Sequence, residues 1–111
     1  MITTHVLDIA VGKPAAGVRV RLEALDGEIW KLVGEGSTNH DGRARTLVPA
    51  DAVLTAGSYR LRFETGEYFA AAGVEGFYPH VEIVFAVRDP AGHHHVPLLL
   101  SPYGYSTYRG S

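Results

Sequence analysis

Val18-Arg19-Val20-Arg21-Leu22-Glu23 alternates apolar and charged side chains without a break, and Ser58-Tyr59-Arg60-Leu61-Arg62-Phe63-Glu64 repeats the pattern. Successive strand residues point to opposite faces, so each run predicts a half-buried strand. Val18, Val20, Leu22, Tyr59, Leu61 and Phe63 then face a core, and the arginines and glutamates face water. Working outward, similar runs occupy Ile2–Ile9, Ile29–Val33, Arg43–Val48, Val81–Val87, His94–Leu100 and Tyr105–Arg109, which makes seven or eight short strands. Breakers separate them: Val11-Gly12-Lys13-Pro14, Asp89-Pro90-Ala91-Gly92, and Asn39-His40-Asp41-Gly42, whose Asp-Gly pair suits a hairpin turn. Helix is confined to Thr65–Gly73, with Thr65 read as the N-cap and Gly73 as the C-cap. Many short strands at this spacing predict an all-β sandwich or barrel, a single domain over residues 1–111.

The composition removes whole classes of function. Ten basic against twelve acidic residues give a net charge of −2, so a nucleic-acid partner is not expected. The absence of cysteine excludes disulfides, thiolate nucleophiles and cysteine metal sites. No apolar run approaches bilayer length and no basic-then-apolar leader is seen, so a soluble, cytoplasmic protein without membrane association is expected. A chain of 12.0 kDa holds one packed core and little private cavity besides.

Histidine supplies most of the chemistry on view. Of the six, His40 and His80 fall in a turn and at a strand entrance and read as surface residues. His5 projects from mid-strand on the face opposite Thr4 and Val6. His93 and His95 share a face at two-residue spacing, so a zinc site completed by His5 is a conceivable reading on ligand type alone, although His-x-His is a weak signal. Arg19/Arg21 and Arg60/Arg62 read as a solvated outer face balanced by Glu23 and Glu64, whereas Arg43 and Arg45 follow a turn and are set apart. Three of the six tyrosines, Tyr103, Tyr105 and Tyr108, crowd the final nine residues, which argues for an ordered, packed tail. Neither a nucleophile elbow nor a phosphate-cradling glycine loop is present.

The segment His95-Val96-Pro97-Leu98-Leu99-Leu100-Ser101-Pro102-Tyr103-Gly104-Tyr105-Ser106-Thr107-Tyr108-Arg109-Gly110-Ser111 resembles the signature end of the 5-hydroxyisourate hydrolases, the enzymatic branch of the transthyretin family. Thr4-His5-Val6-Leu7-Asp8 with Gly12-Lys13-Pro14-Ala15, and Asp41-Gly42-Arg43, match two further blocks in the same order. One departure is His94, where the family commonly has Tyr. The resemblance implies a β-sandwich of two four-stranded sheets with one short helix, assembled as a homotetramer with sites in the channel between dimers. It implies a catalytic set of His5, Arg43, His95 and the terminal Tyr108-Arg109-Gly110-Ser111, with Tyr108 and Ser111 bordering the substrate and no cofactor. The implied reaction is hydrolysis of 5-hydroxyisourate to 2-oxo-4-hydroxy-4-carboxy-5-ureidoimidazoline, with His5 favoured as the group that activates water. Alternatives are a non-catalytic small-ligand carrier on the same fold, or a zinc-dependent hydrolase using His5, His93 and His95.

Overall fold

A computed structural model describes all residues Met1–Ser111. Nine strands and one helix follow in the order β1 (Ile2–Asp8), β2 (Lys13–Pro14), β3 (Arg19–Asp26), β4 (Ile29–Ser37), β5 (Arg43–Ala44), β6 (Gly57–Phe63), α1 (Thr65–Ala71), β7 (Val81–Val87), β8 (His94–Ser101) and β9 (Gly104–Thr107). One sheet runs β2-β1-β8-β9, with the two-residue β5 also pairing with β1; the other runs β4-β3-β6-β7. The two sheets and the single helix expected from the sequence are therefore present.

The inward faces are those that alternation predicted. Val18, Val20, Leu22, Tyr59, Leu61 and Phe63 join Ile2, Val6, Leu98 and Leu100 in one core of eighteen buried side chains. The outer arginines act structurally. Arg60 Nε donates to Glu23 at 2.9 Å and the guanidinium lies over Trp30, while Arg62 pairs with Glu64 and Arg19 with Glu67. No helix is long and apolar enough to cross a membrane.

Several local expectations change. Thr65 does not cap the helix: Glu64 holds that position without a side-chain hydrogen bond, and Thr65 is the first helical residue, fully buried. At the other end Ala72 is the cap and Gly73 follows it at φ +69°, letting Val74 N–H reach the Phe69 carbonyl at 2.9 Å. The strand expected over Arg43–Val48 contracts to Arg43–Ala44, and β4 continues past Val33 to Ser37.

The Asn39–Gly42 turn does not form a hairpin between sequential strands. It carries the chain from the end of β4 in one sheet to β5 on the edge of β1 in the other. Asn39 organises it, its Oδ1 accepting the backbone N–H groups of Asp41 at 2.9 Å and Arg43 at 3.0 Å. Gly42 sits at φ +76°, and its carbonyl accepts the Val6 N–H at 2.7 Å. A Cβ at this position would stand 2.4 Å from the Val6 carbonyl oxygen. Left-handed backbone and direct contact both forbid a side chain here. Gly42→Ala should cost roughly 2 kcal/mol or more of unfolding free energy, measured by urea denaturation. A wild-type midpoint would show that the turn is not so constrained.

Candidate active site

Strand β1 assembles the site. It pairs in parallel with β8, placing Thr3 beside His95 and His5 beside Pro97, and antiparallel with β5, placing His5 opposite Arg43. Ile2, Thr4 and Val6 point into the core and are fully buried, so Thr3 and His5 are left on the outer face. Thr4 helps to hold this arrangement, its hydroxyl donating to the Val96 carbonyl. Residues some ninety positions apart thereby share one surface.

A cleft of about 320 Å³ opens on that surface, lined by Met1, Thr3, Arg43, Arg45, His93, His95 and Ser111. Met1 is the only apolar side chain among them. No carboxylate pairs with Arg43 or Arg45, in contrast to Arg19, Arg60 and Arg62. Two guanidinium groups without a partner make a cationic, hydrogen-bond-donating wall suited to carbonyl or anionic oxygen.

The histidines sit in that field. Burial lowers the pKa of His95 below the usual imidazole range, and the positive charge of Arg43 adds to the effect, with His93 and His5 contributing. His5 moves the same way through burial and then Arg43, opposed by the backbone and charge of Asp41. Both imidazoles are therefore neutral near pH 7 and able to accept a proton. Nδ1 of His95 is hydrogen-bonded to the Thr3 hydroxyl at 2.8 Å, which leaves Nε2 without a partner in the chain.

The tail closes one side. Gly110 N–H donates to the His95 carbonyl at 2.8 Å, forming a bridge beyond the end of β9. Between that bridge and Thr107 the ladder lapses opposite Pro97, which has no N–H to donate. A Cβ on Gly110 would lie 2.5 Å from Cδ2 of His95, so the tail backbone rests directly against the imidazole. Ser111 then reaches the cleft.

Of the residues singled out from sequence, the structure gathers Arg43, His95 and Ser111 around the cleft. His5 lies beside Arg43 but does not line it, and its Nε2 is buried without a hydrogen-bond partner. Tyr108 does not line that cleft; where the ladder lapses it lines a second one of about 200 Å³, together with Val84, Phe85, Arg109 and His95, which borders both. Nor do His5, His93 and His95 form a cluster able to hold a metal ion. His94 faces the core side of β8 and is buried, its Nδ1 unpartnered. Thr3 was not recognised from sequence, because only the β1–β8 register reveals it; the pairs Arg43/Arg45 and His93/His95 were visible, but not that one cleft holds them both.

A two-sheet sandwich carrying a cationic, histidine-bearing cleft on the outer face of one sheet is the class that these features define. The HIUase/Transthyretin family model matches residues 2–110, and the chain belongs to that family. It is similar to the 5-hydroxyisourate hydrolase of Caulobacter vibrioides, 52% identical over 99% of this chain and 97% of that one. The structure of Klebsiella pneumoniae 5-hydroxyisourate hydrolase superimposes with a TM-score of 0.85 at 43% identity, covering 99% and 98% of the two chains. Sea bream transthyretin in complex with thyroxine superimposes with a TM-score of 0.90 but at 29% identity, covering 98% and 93%.

The contact between Gly110 and His95 is directly testable. Gly110→Ala should leave the fold intact, since φ at this position is not in the left-handed region, yet displace the imidazole. The Cε1–H resonance of His95 should shift while that of the exposed His40 stays in place. An unmoved His95 signal would mean that the tail does not press on the ring.

Proposed function

We propose that the protein is a hydrolase that opens the ring of 5-hydroxyisourate, giving 2-oxo-4-hydroxy-4-carboxy-5-ureidoimidazoline in urate degradation. The observation that carries this reading is the meeting of a neutral imidazole, His95, and an unpaired guanidinium, Arg43, in one polar cleft. The hydrolases named above share far more identity with this chain than the thyroxine-binding transthyretin does. A carrier of apolar ligands would have no use for a cleft whose one apolar side chain is Met1.

The chemistry follows from the groups present. Nε2 of His95 takes a proton as water attacks a ring carbonyl, forming the new C–O bond. Arg43 orients the planar substrate and stabilises the negative charge that develops on the carbonyl oxygen, with Arg45 beside it. As the ring C–N bond breaks, the leaving nitrogen takes a proton back. Ser111 supplies a hydroxyl at the cleft wall. His5, close to Arg43 and unable to reach open solvent through Nε2, is a supporting group, so water activation passes from His5, favoured on sequence, to His95. No step calls for a cofactor.

We place the cleft in a homotetramer whose partner subunits complete it. The outer edges β7 and β9 are open, and Val84, Tyr105 and Tyr108 along them are 59%, 42% and 57% exposed. Unprotected edges and exposed aromatics of this kind favour pairing with another copy.

The reaction is tested by generating 5-hydroxyisourate in situ with urate oxidase and following its ultraviolet decay. Decay well above the spontaneous rate is expected, and none above it would overturn the reading. Arg43→Ala and His95→Ala should each lower turnover at least ~10²-fold while remaining folded, with His5→Ala impaired through its effect on Arg43. Activity should also survive exhaustive chelation by dipicolinate; loss restored by zinc would favour metal-assisted hydrolysis.

A further inference from the structure

The Thr3 hydroxyl stands between two imidazoles. It lies 2.8 Å from Nδ1 of His95 and 2.8 Å from Nε2 of His93. Thr3 is 6% exposed, and its methyl-bearing side chain is packed where β1 meets β8, so the hydroxyl is held rather than free to rotate into water. The two rings are 6.2 Å apart at their centroids and inclined at 57°, too far for a direct hydrogen bond between them. Both rings border the cleft, His95 half-buried and His93 exposed. One buried hydroxyl thus links a half-buried imidazole to an exposed one.

A hydroxyl carries a single proton, and that fixes what the rings can do. If Thr3 donates to Nε2 of His93, it must accept N–H from Nδ1 of His95. Both rings then carry hydrogen on Nδ1, and Nε2 of His95 is an open lone pair aimed at the cleft. If Thr3 instead donates to Nδ1 of His95, it accepts from Nε2 of His93. Both rings then carry hydrogen on Nε2, and His95 becomes a donor toward the cleft. The hydroxyl oxygen could accept from both rings, but its proton would then lack an acceptor, since the two rings are its only partners; the imidazoles therefore share one tautomer, and the hydroxyl decides which.

We propose that Thr3 is a positioning residue that couples the tautomers of His95 and His93 and carries protons between the cleft and the exposed ring. The inference rests on the hydrolytic reading given above. In the first arrangement His95 is a base. When its Nε2 gains the proton of the attacking water, its Nδ1 proton passes to Thr3, and the Thr3 proton passes to Nε2 of His93. His93 then releases its Nδ1 proton to solvent. The protons balance: one leaves water, one reaches solvent, Thr3 is unchanged, and His95 is neutral again but carries hydrogen on Nε2.

That product is the second arrangement, in which His95 is an acid. It gives its Nε2 proton to the leaving ring nitrogen, Thr3 returns a proton to Nδ1, His93 refills Thr3 from Nε2, and solvent refills Nδ1 of His93. One imidazole thus serves first as base and then as acid, reset through Thr3 and a neighbouring ring. Without the relay, His95 would remain an imidazolium after the first step. It would do so beside the guanidinium of Arg43, a position that disfavours the cation.

Three variants test the proposal: Thr3→Val, nearly isosteric but without the hydroxyl; Thr3→Ser, which keeps it; and His93→Leu, which removes the outer ring. The readouts are kcat and KM for 5-hydroxyisourate, and the ring 15N shifts of His95 and His5 in the free protein at a pH where both are neutral. Thr3→Val and His93→Leu should each lower kcat roughly 10²-fold with little change in KM. The double variant should be no slower than either single one, because both break the same chain. Thr3→Ser should recover most of kcat. The tautomer balance of His95, but not of His5, should shift in Thr3→Val and His93→Leu alike. The relay is overturned if His93→Leu leaves kcat and the His95 tautomer unchanged, if Thr3→Ser is as slow as Thr3→Val, or if the two losses multiply. A wild-type protein inactive on 5-hydroxyisourate whose His95 shifts still respond to His93→Leu would overturn the assigned reaction and leave the coupling standing.

Discussion

Everything at the cleft depends on the register of β1 between its two neighbours. Parallel pairing with β8 sets Thr3 beside His95, and antiparallel pairing with β5 sets His5 opposite Arg43. A slip of one residue would turn Thr3 and His5 into the core and expose Ile2, Thr4 and Val6, all of them fully buried. The cost of exposing those apolar groups, together with the Thr4 bond to Val96, pins the strand. The same apolar contacts that stabilise the sandwich therefore position the chemical groups on its outer face.

The second constraint is electrostatic. Arg43 and Arg45 are left without carboxylate partners, while Arg19, Arg60 and Arg62 of the opposite sheet are paired off as structural ions. An unpaired guanidinium is available to a substrate oxygen, and its charge adds to burial in keeping His5 and His95 in the neutral form that accepts protons. Arg43 thus contributes to binding and, after burial, to base strength. The backbone that delivers it is equally constrained, by the Asn39 side chain on one side and the carbonyl of Gly42 on the other.

Strands with one face in the core and one in water announced themselves in the sequence, and β3 and β6 are the clearest cases. The two-residue strands β2 and β5 are too short to show any period, and the glycines at 34 and 36 disguised the second half of β4 as a loop. At Thr65 a good capping side chain was buried in the first turn instead, because helix docking outweighed local preference. At the site, the resemblance to a known family supplied His5, Arg43, His95 and Ser111, but not their mutual distances. Thr3 and His93 become partners only through a parallel pairing across more than ninety residues, which no local pattern encodes. Tyr108 meets His95 in a second cleft, because Pro97 interrupts the ladder opposite it and lets the tail depart from regular pairing.

Burial and, after it, the guanidinium of Arg43 hold His5 and His95 neutral at the edge of a polar cleft. The most direct test is an NMR titration of the His5 and His95 ring resonances in the wild-type protein and in Arg43→Gln. Both midpoints should lie below the ordinary imidazole value of about 6.5 in the wild type. Removing the guanidinium charge lessens the penalty on the protonated form, so both should rise toward that value in the variant. Midpoints at or above 6.5 in the wild type, or midpoints that do not move when Arg43 is replaced, would contradict the account.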